Sequence, residues 1–335
     1  MEQRLVEIRE GESRLLVPEA PTPEKGEVFY HPDQALARDI SILVYKAYGC
    51  EVLDAFAGTG ARAVRLAGNG VKVVASDISD KAVRLVQKNA ELNGVEVPVF
   101  RERAGKAIHS RLWEAIDIDP FGTPAPWVHC ALLNAKKLLA VCATDTAALS
   151  GTYPRVARRR YGFRSKRTDN YHEIATRALA GFVVRQGAVL EVAPTPVFAH
   201  AHRHYIRIYF ELKKGAGRCD RLLEQTGESG GVGPIWLGGL WKKQLVEKMM
   251  KTAGRLEMGS RATIRDLELI RGEAGFPQPY FHLHKICREL KMTPPPMPEV
   301  LEAVGGVRTH FTPLGFRTRL GEEDVKKTLK KLSPG

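Results

Sequence analysis

VLDAFAGTGARA, Val52 to Ala63, runs from an apolar strand ending in an acid, through a glycine turn, into the start of a helix. Gly58 and Gly60 allow close backbone approach at a helix N-terminus, where unpaired N–H groups and the helix dipole favour anionic or polar ligands. Asp77 closes the next apolar run, a place from which a carboxylate accepts from ribose hydroxyls. Outward from this turn the chain alternates. Residues 51–54 read as a strand, 61–68 as a short helix, 71–75 as a strand and 80–92 as a second helix. In that second helix Ala82, Val83, Val86 and Ala90 recur at helical spacing, Ser79 or Asp80 caps the start, and Asn93-Gly94 supplies the stop. Residues 97–100, 115–118 and 139–143 continue the strands. The order predicts an α/β fold with a mostly parallel sheet and ligands beyond the carboxyl ends of its strands.

Two cofactor classes fit the glycine turn. Gly58-Thr-Gly60-Ala-Arg-Ala63 satisfies the loose dinucleotide pattern, with Asp77 about the right distance on, which would make the chain an NAD-type oxidoreductase. With Asp54 included, the same stretch becomes D-x-F-x-G-x-G. That resembles the first motif of AdoMet-dependent methyltransferases, in which the acid helps hold the methionine end of the cofactor.

Composition narrows the partner. Lys and Arg number 51 against 38 Asp and Glu, a formal charge of +13, and such an excess favours a polyanion through counterion release. Nucleic acid is the expected partner, and an RNA-binding protein with a catalytically silent Rossmann domain is the non-enzymatic reading. No stretch approaches the roughly 18 apolar residues of a spanning helix, and the N-terminus lacks an apolar signal region, so the expected location is cytoplasmic and no membrane partner is expected. Five cysteines are scattered without a C-x-x-C pair, which argues against a disulfide framework and a cysteine zinc site.

AIDIDPFGTP, Ala115 to Pro124, places Asp117 and Asp119 on one face of an apolar strand and then breaks it. A nitrogen whose lone pair is delocalised into a base ring is a weak nucleophile. A carboxylate and a proline-fixed carbonyl that accept from its hydrogens localise that lone pair, and an aromatic alongside stacks on the base. Asp119-Pro120-Phe121-Gly122 supplies these groups in order. Asp117 reads as a hydrogen-bonded buried acid rather than a second catalyst.

AIDIDPFGTP, CATDTAALSG (Cys142 to Gly151), VFYHPDQALARDIS (Val28 to Ser41), GPIWLGGL (Gly233 to Leu240) and VRTHFTPLGFRT (Val307 to Thr318) together resemble the tRNA guanine-26 N(2)-dimethyltransferases. The resemblance implies a Rossmann-like AdoMet domain, a C-terminal RNA-contacting domain, and transfer of one or two methyl groups to the exocyclic 2-amino group of a tRNA guanine. It puts the catalytic carboxylate on Asp119, beside Pro120, and the stacking aromatic on Phe121. Phe29 and Arg38 become parts of the base and cofactor pocket, Asp54 and Asp77 the acidic cofactor positions, and Arg62 the arginine of the first helix. His31, Ala37, Ala148 and Ser150 depart from the family's pattern, and only Cys219 stands where relatives often pair cysteines around zinc, so no metal is expected.

Downstream, YPRVARRRYGFRSKR (Tyr153 to Arg167) interleaves arginines with aromatics, and Arg158, Arg159 and Arg160 are the expected phosphate contacts. Residues 199–210 read as one strand with Arg203, Tyr205, Arg207 and Tyr209 on one face, Arg203 and Arg207 being further candidates for RNA. The expected domains are 1–212 for methyl transfer, 213–240 as a glycine-rich connector, and 241–335 as a winged-helix-like α+β module with helices around Leu283 to Leu290 and Val325 to Leu332.

Overall fold

The computed structural model describes residues 4–20, 27–202, 204–255, 261–276 and 278–332. A hairpin of β1 (Leu5–Glu10) and β2 (Ser13–Pro18) precedes α1 (Ala35–Tyr48). Next come β3 (Val52–Asp54), α2 (Ala61–Gly68), β4 (Val73–Asp77), α3 (Asp80–Leu92), β5 (Val99–Arg101), α4 (Ala104–His109), β6 (Trp113–Ile118), α5 (Ala125–Asn134) and β7 (Ala135–Ala143). The helices α6 (Thr146–Leu149), α7 (Pro154–Tyr161) and α8 (Tyr171–Ala188) lead into β8 (Val192–His202) and β9 (Tyr205–Lys214).

Seven strands form one sheet in the order β5-β4-β3-β6-β7-β9-β8. The first five of that order run parallel, and β9 is antiparallel to both of its neighbours. Successive strands leave β3 in opposite directions, so the crevice between the ends of β3 and β6 is the switch point where such sheets hold ligands. The strands are buried runs because helices cover both faces. Helices α2 and α3 occupy the residues their periodicity predicts, and the Ser79 hydroxyl caps α3 by accepting from the Ala82 N–H.

Two expectations need correction. Residues 199–210 form no single strand: they span the β8–β9 turn, and the period-2 pattern runs through that turn without a break, hiding it. Arg203 lies outside the described residues, and Arg207 is fully buried rather than turned toward solvent. The 213–240 stretch is not a bare connector. It contains α9 (Ala216–Leu223) and a hairpin of β10 (Thr226–Ser229) and β11 (Val232–Trp236), and β11 packs against α8. Val232, Ile235 and Trp236 supply the apolar side that the surrounding glycines obscure, while the buried Arg177 guanidinium on α8 donates to the carbonyls of Trp236 and Gly238.

Helices α10 (Lys243–Arg255) and α11 (Arg261–Glu273) pack on α1 and share the main core through Leu245, Val246, Met249, Leu267 and Ile270. Beyond them β12 (Phe281–His282), α12 (Leu283–Glu289), α13 (Met297–Val304), β13 (Val307–Arg308), β14 (Gly315–Arg317) and α14 (Glu322–Leu332) build a smaller unit. Its sheet has the order β12-β14-β13, and its own core includes Leu283, Ile286, Val300, Phe316, Val325 and Leu329. Arg317 ties this unit to the main body, its fully buried guanidinium meeting Glu173 of α8 at 2.8 Å and Glu273 of α11 at 2.6 Å.

Candidate functional site

Parallel pairing places Asp54, the last residue of β3, directly beside Asp117 of β6. Asp119 follows two residues later, just past the strand end. Around these carboxylates opens a cavity of about 520 Å³ whose walls include Phe29, Arg38, Asp54, Gly58, Arg62, Asp77, Asp119, Pro120 and Phe121. The residues singled out in the sequence therefore converge on one space, with exceptions among the glycines and outer arginines.

The glycine turn is fixed by Asp77. Its Oδ2 accepts from the Gly58 N–H and its Oδ1 from the Ser79 N–H, each at 2.9 Å. Gly58 has φ of +53°, and a Cβ there would press on the Phe29 carbonyl at 3.2 Å. Gly60 also has a packing job. Its φ is +78°, and a Cβ would meet Val86 at 3.0 Å, so this glycine lets α2 and α3 pack closely and forms no part of the cavity wall.

Beneath the cavity, three carboxylates face two arginines. Arg62 donates to Asp119 Oδ2 and, at 2.7 Å, to Ser41 Oγ. Arg207 donates to Asp117 Oδ2, and its Nη1 lies 3.4 Å from Asp119 Oδ2. Tyr45 also donates to Asp117, at 2.8 Å. Burial alone would raise the Asp119 pKa, but Arg62 and Arg207 outweigh it and hold the carboxyl below its ordinary range. Asp54 shows the opposite balance. Burial pushes it up to about 7, with Asp117 and Asp119 adding to the rise against the pull of Arg62 and Arg207. Neither Asp54 oxygen has a hydrogen-bond partner. A buried, orphaned carboxylate on a cavity wall calls for a cationic donor.

The mouth is aromatic. Phe121 is 76% exposed and meets Phe29 edge to face at 5.9 Å. The turn that carries it is pinned to the end of β7, where Thr144 exchanges bonds with Gly122: its Oγ1 accepts from the Gly122 N–H at 2.7 Å, and its own N–H donates to the Gly122 carbonyl at 2.9 Å. Arg38 reaches the cavity wall but gives its donors to Glu10 and to the His31 carbonyl, fastening the N-terminal hairpin over α1. Arg158 and Arg159 are exposed on α7. Arg160 is exposed too but pairs with Asp145 at 2.9 Å, and the neighbouring aromatics Tyr161 and Phe163 are buried.

Sequence reasoning missed Thr144, His202, His204 and Tyr205, which also line the cavity, and the supporting roles of Ser41, Tyr45 and Arg207. Tyr45 and Ser41 sit one helical turn apart on α1, a spacing that reads as ordinary core. Their polar ends were the available signal. Among the described residues no group of three or more His, Cys, Asp or Glu side chains is placed to hold a metal ion.

Comparison with known proteins agrees over nearly the whole length. The profile of the N2,N2-dimethylguanosine tRNA methyltransferases matches residues 11–230 and 226–330. A tRNA (guanine(26)-N(2))-dimethyltransferase of Methanocaldococcus jannaschii is 36% identical over 93% of this chain and 95% of its own. A tRNA (guanine(26)-N(2)/guanine(27)-N(2))-dimethyltransferase of Aquifex aeolicus is 31% identical over 97% of this chain and 96% of its own. The solved structure of Trm1 from Pyrococcus horikoshii with S-adenosyl-L-methionine superposes with a TM-score of 0.88, at 31% identity, over 97% of this chain and all of that one.

Proposed function

The chain belongs to the N2,N2-dimethylguanosine tRNA methyltransferase family, and from that premise we propose which of its residues carry the reaction. The protein is an AdoMet-dependent tRNA (guanine-N2-)-methyltransferase acting at guanine 26, and the dinucleotide reading of the glycine turn falls away. Among the described residues no helix is long and apolar enough to cross a membrane, and the cytoplasm is the proposed compartment.

The cavity suits the cofactor by an observation independent of kinship: buried Asp54 on its wall accepts no hydrogen bond, its nearest cation being Arg62 at 4.0 Å. Asp54 would receive the α-ammonium group, Asp77 the ribose hydroxyls, and the Gly58 turn would lie along the nucleoside, with Arg38 and Arg62 closing the wall. When bound, S-adenosyl-L-methionine supplies a methyl carbon made electrophilic by a sulfonium.

Everything else falls to the chain's own side chains. Phe29 and Phe121 hold the extruded guanine by stacking, and the Pro120 carbonyl and Asp119 carboxylate accept from its 2-amino hydrogens. As the amine's lone pair forms the new N–C bond, the nitrogen becomes acidic and its proton passes to Asp119. The low pKa of Asp119 supports this reading, because the group is ionised and ready to accept at neutral pH. Arg158, Arg159 and Arg160 are the proposed phosphate contacts, joined by the C-terminal unit, whose helices and hairpin fit a winged-helix-like RNA-contacting module.

One observation carries the assignment: an ionised carboxylate at the end of β6 faces the same cavity as the exposed Phe121 and Phe29 pair. Nucleoside mass spectrometry of tRNA incubated with protein and cofactor tests it, with Asp119→Ala alongside. The expected loss in turnover is about 10²-fold or more, with cofactor affinity little changed. Near-normal turnover in that variant would remove Asp119 from its role.

A further inference from the structure

Arg207 comes from β9, the antiparallel strand beyond β7, and is fully buried in contact with the carboxylate pair. Its contacts close a ring. Its Nε donates to the Tyr209 hydroxyl at 2.8 Å, which donates to Ser41 Oγ at 2.9 Å. Ser41 Oγ accepts from Arg62 at 2.7 Å and gives its own proton to the Ala37 carbonyl, which fixes the direction of the chain. Arg62 then returns to Asp119 Oδ2, the same oxygen that faces Arg207 Nη1. The other arm of Arg207 holds Asp117.

We propose that Arg207 is a positioning residue for methyl transfer: it holds Asp117 and Asp119 with one guanidinium and, through Tyr209 and Ser41, is coupled to Arg62, fixing the Asp119 carboxylate in the orientation and charge state that accepts the amino proton. This rests on the reading of Asp119 as the acceptor. What sets Arg207 apart from a buried structural arginine is that one of the two carboxylates it faces, Asp119, lies on the cavity wall. Arg62 alone would face three acids.

Asp54 shows the effect of thin compensation. It lies beside the same charges, lacks a hydrogen-bonded arginine, and titrates near neutrality, at about 7. Without Arg207, Asp119 would keep Arg62 and the thiol of Cys142 as donors and Arg38 as a more distant cation, against Asp54 and Asp117 as anions. Its carboxyl would then protonate at a higher pH than in the parent, and a protonated Asp119 accepts no proton.

The test is the pH dependence of single-turnover methylation at saturating tRNA and cofactor, from about pH 5 to about pH 8, which brackets the ordinary carboxylate and histidine ranges. The parental protein should show no acid limb from Asp119 in this window. In Arg207→Met the acid limb should move up by as much as about three pH units, as expected on losing a neighbouring opposite charge, far enough to lower the rate at the acid end of this range, with KM for the cofactor little moved. Arg207→Lys restores charge without the two-armed geometry and should lie between. Tyr209→Phe keeps every charge, opens the ring, and should lower the rate with a smaller shift. Should Arg207→Met fail to fold, the Lys and Phe variants decide. Parental profiles in the folded variants overturn the proposal. Asp119→Asn separates the two layers: if it is inactive while Arg207 variants behave as the parent, only the role of Arg207 falls; if it turns over normally, the acceptor assignment falls with it.

Discussion

Asp54→Asn should make the protein more stable and worse at its task. The Asp54 carboxyl sits near 3.8 when unperturbed and at about 7 in the folded chain, because burial and the neighbouring Asp117 and Asp119 outweigh Arg62. Between those values the folded state keeps a proton that the unfolded state releases, so stability falls as pH rises through that window and stays low above it. The difference is roughly three pH units at about 1.4 kcal/mol each, on the order of 4 kcal/mol. Asn carries no charge at any pH. It can also donate toward Asp117 Oδ1, an oxygen with no partner. Thermal unfolding without cofactor should therefore show the variant more stable at about pH 8, with the advantage shrinking as pH falls and gone only below about pH 3, where Asp is neutral in both states.

Cofactor binding should reverse that advantage. The parental affinity should climb as pH rises through about 7, when Asp54 ionises, and decline above about 8, when an α-amino group loses its proton. The variant should lose the acid limb and bind more weakly by about 1.5–3 kcal/mol, the worth of a hydrogen bond to a charged group. Titration calorimetry at several pH values measures both. An unchanged affinity would place the methionine end elsewhere. An unchanged difference in melting between the two pH values would show that Asp54 is not an uncompensated buried anion.

Asp77→Ala should weaken cofactor binding by a few kcal/mol at most, since it removes the proposed ribose acceptor and also frees the Gly58 and Ser79 N–H groups; equal affinity in calorimetry would count against it. Changing Arg158, Arg159 and Arg160 together to Gln should lower tRNA affinity and flatten its dependence on salt by a little under one logarithmic unit per lost phosphate contact, read by filter binding; a parental slope would make α7 a merely solvated face. Arg317→Met should destabilise by about 3–5 kcal/mol in denaturant unfolding, because Glu173 and Glu273 would be left buried without their shared cation. Burial opposes ionisation of Glu273, but His310 and Arg317 hold its pKa down to about 2, so its contribution to stability is present above the ordinary glutamate range and is lost as pH falls toward 2.

Local signals made the first half of the fold legible. Capping by Ser79, helical spacing in α3 and the glycine turn after Asp54 each depend on residues close in sequence, and the structure places those elements where they were read. The β8–β9 turn was invisible because side-chain alternation carries across it unchanged. Arg207 was misread for the same reason: alternation assigns it a face but not what lies on that face, and its partner Asp117 stands ninety residues upstream. The 213–240 stretch looked like a connector because glycine density masks the few apolar residues that β11 sets against α8. At the site, Asp54, Asp77, Asp119, Phe121 and Phe29 converge on one cavity as their motifs imply, whereas Gly60 and Arg160 are engaged with protein atoms that only tertiary structure supplies.

The fastening of the C-terminal unit bears on how the substrate reaches Asp119. Arg317 lies between Glu173 and Glu273 with none of the three exposed, and Glu173 also accepts from the Tyr280 N–H at 3.0 Å. Swinging the unit away would break both of these ion pairs and the bonds Glu273 accepts from Thr309 and the His310 N–H at once. The unit is thus built as a fixed wall and not as an arm that folds over the RNA. The Asp119 side chain is only 10% exposed behind the protruding Phe121 ring. A guanine stacked within a helix cannot reach a carboxylate at that depth, so the nucleotide must leave its stack and enter between Phe29 and Phe121. With the protein surface held rigid, the deformation falls on the tRNA, and the contacts that offset it must be laid out in advance. A chain carrying thirteen more basic than acidic residues has the means to do so.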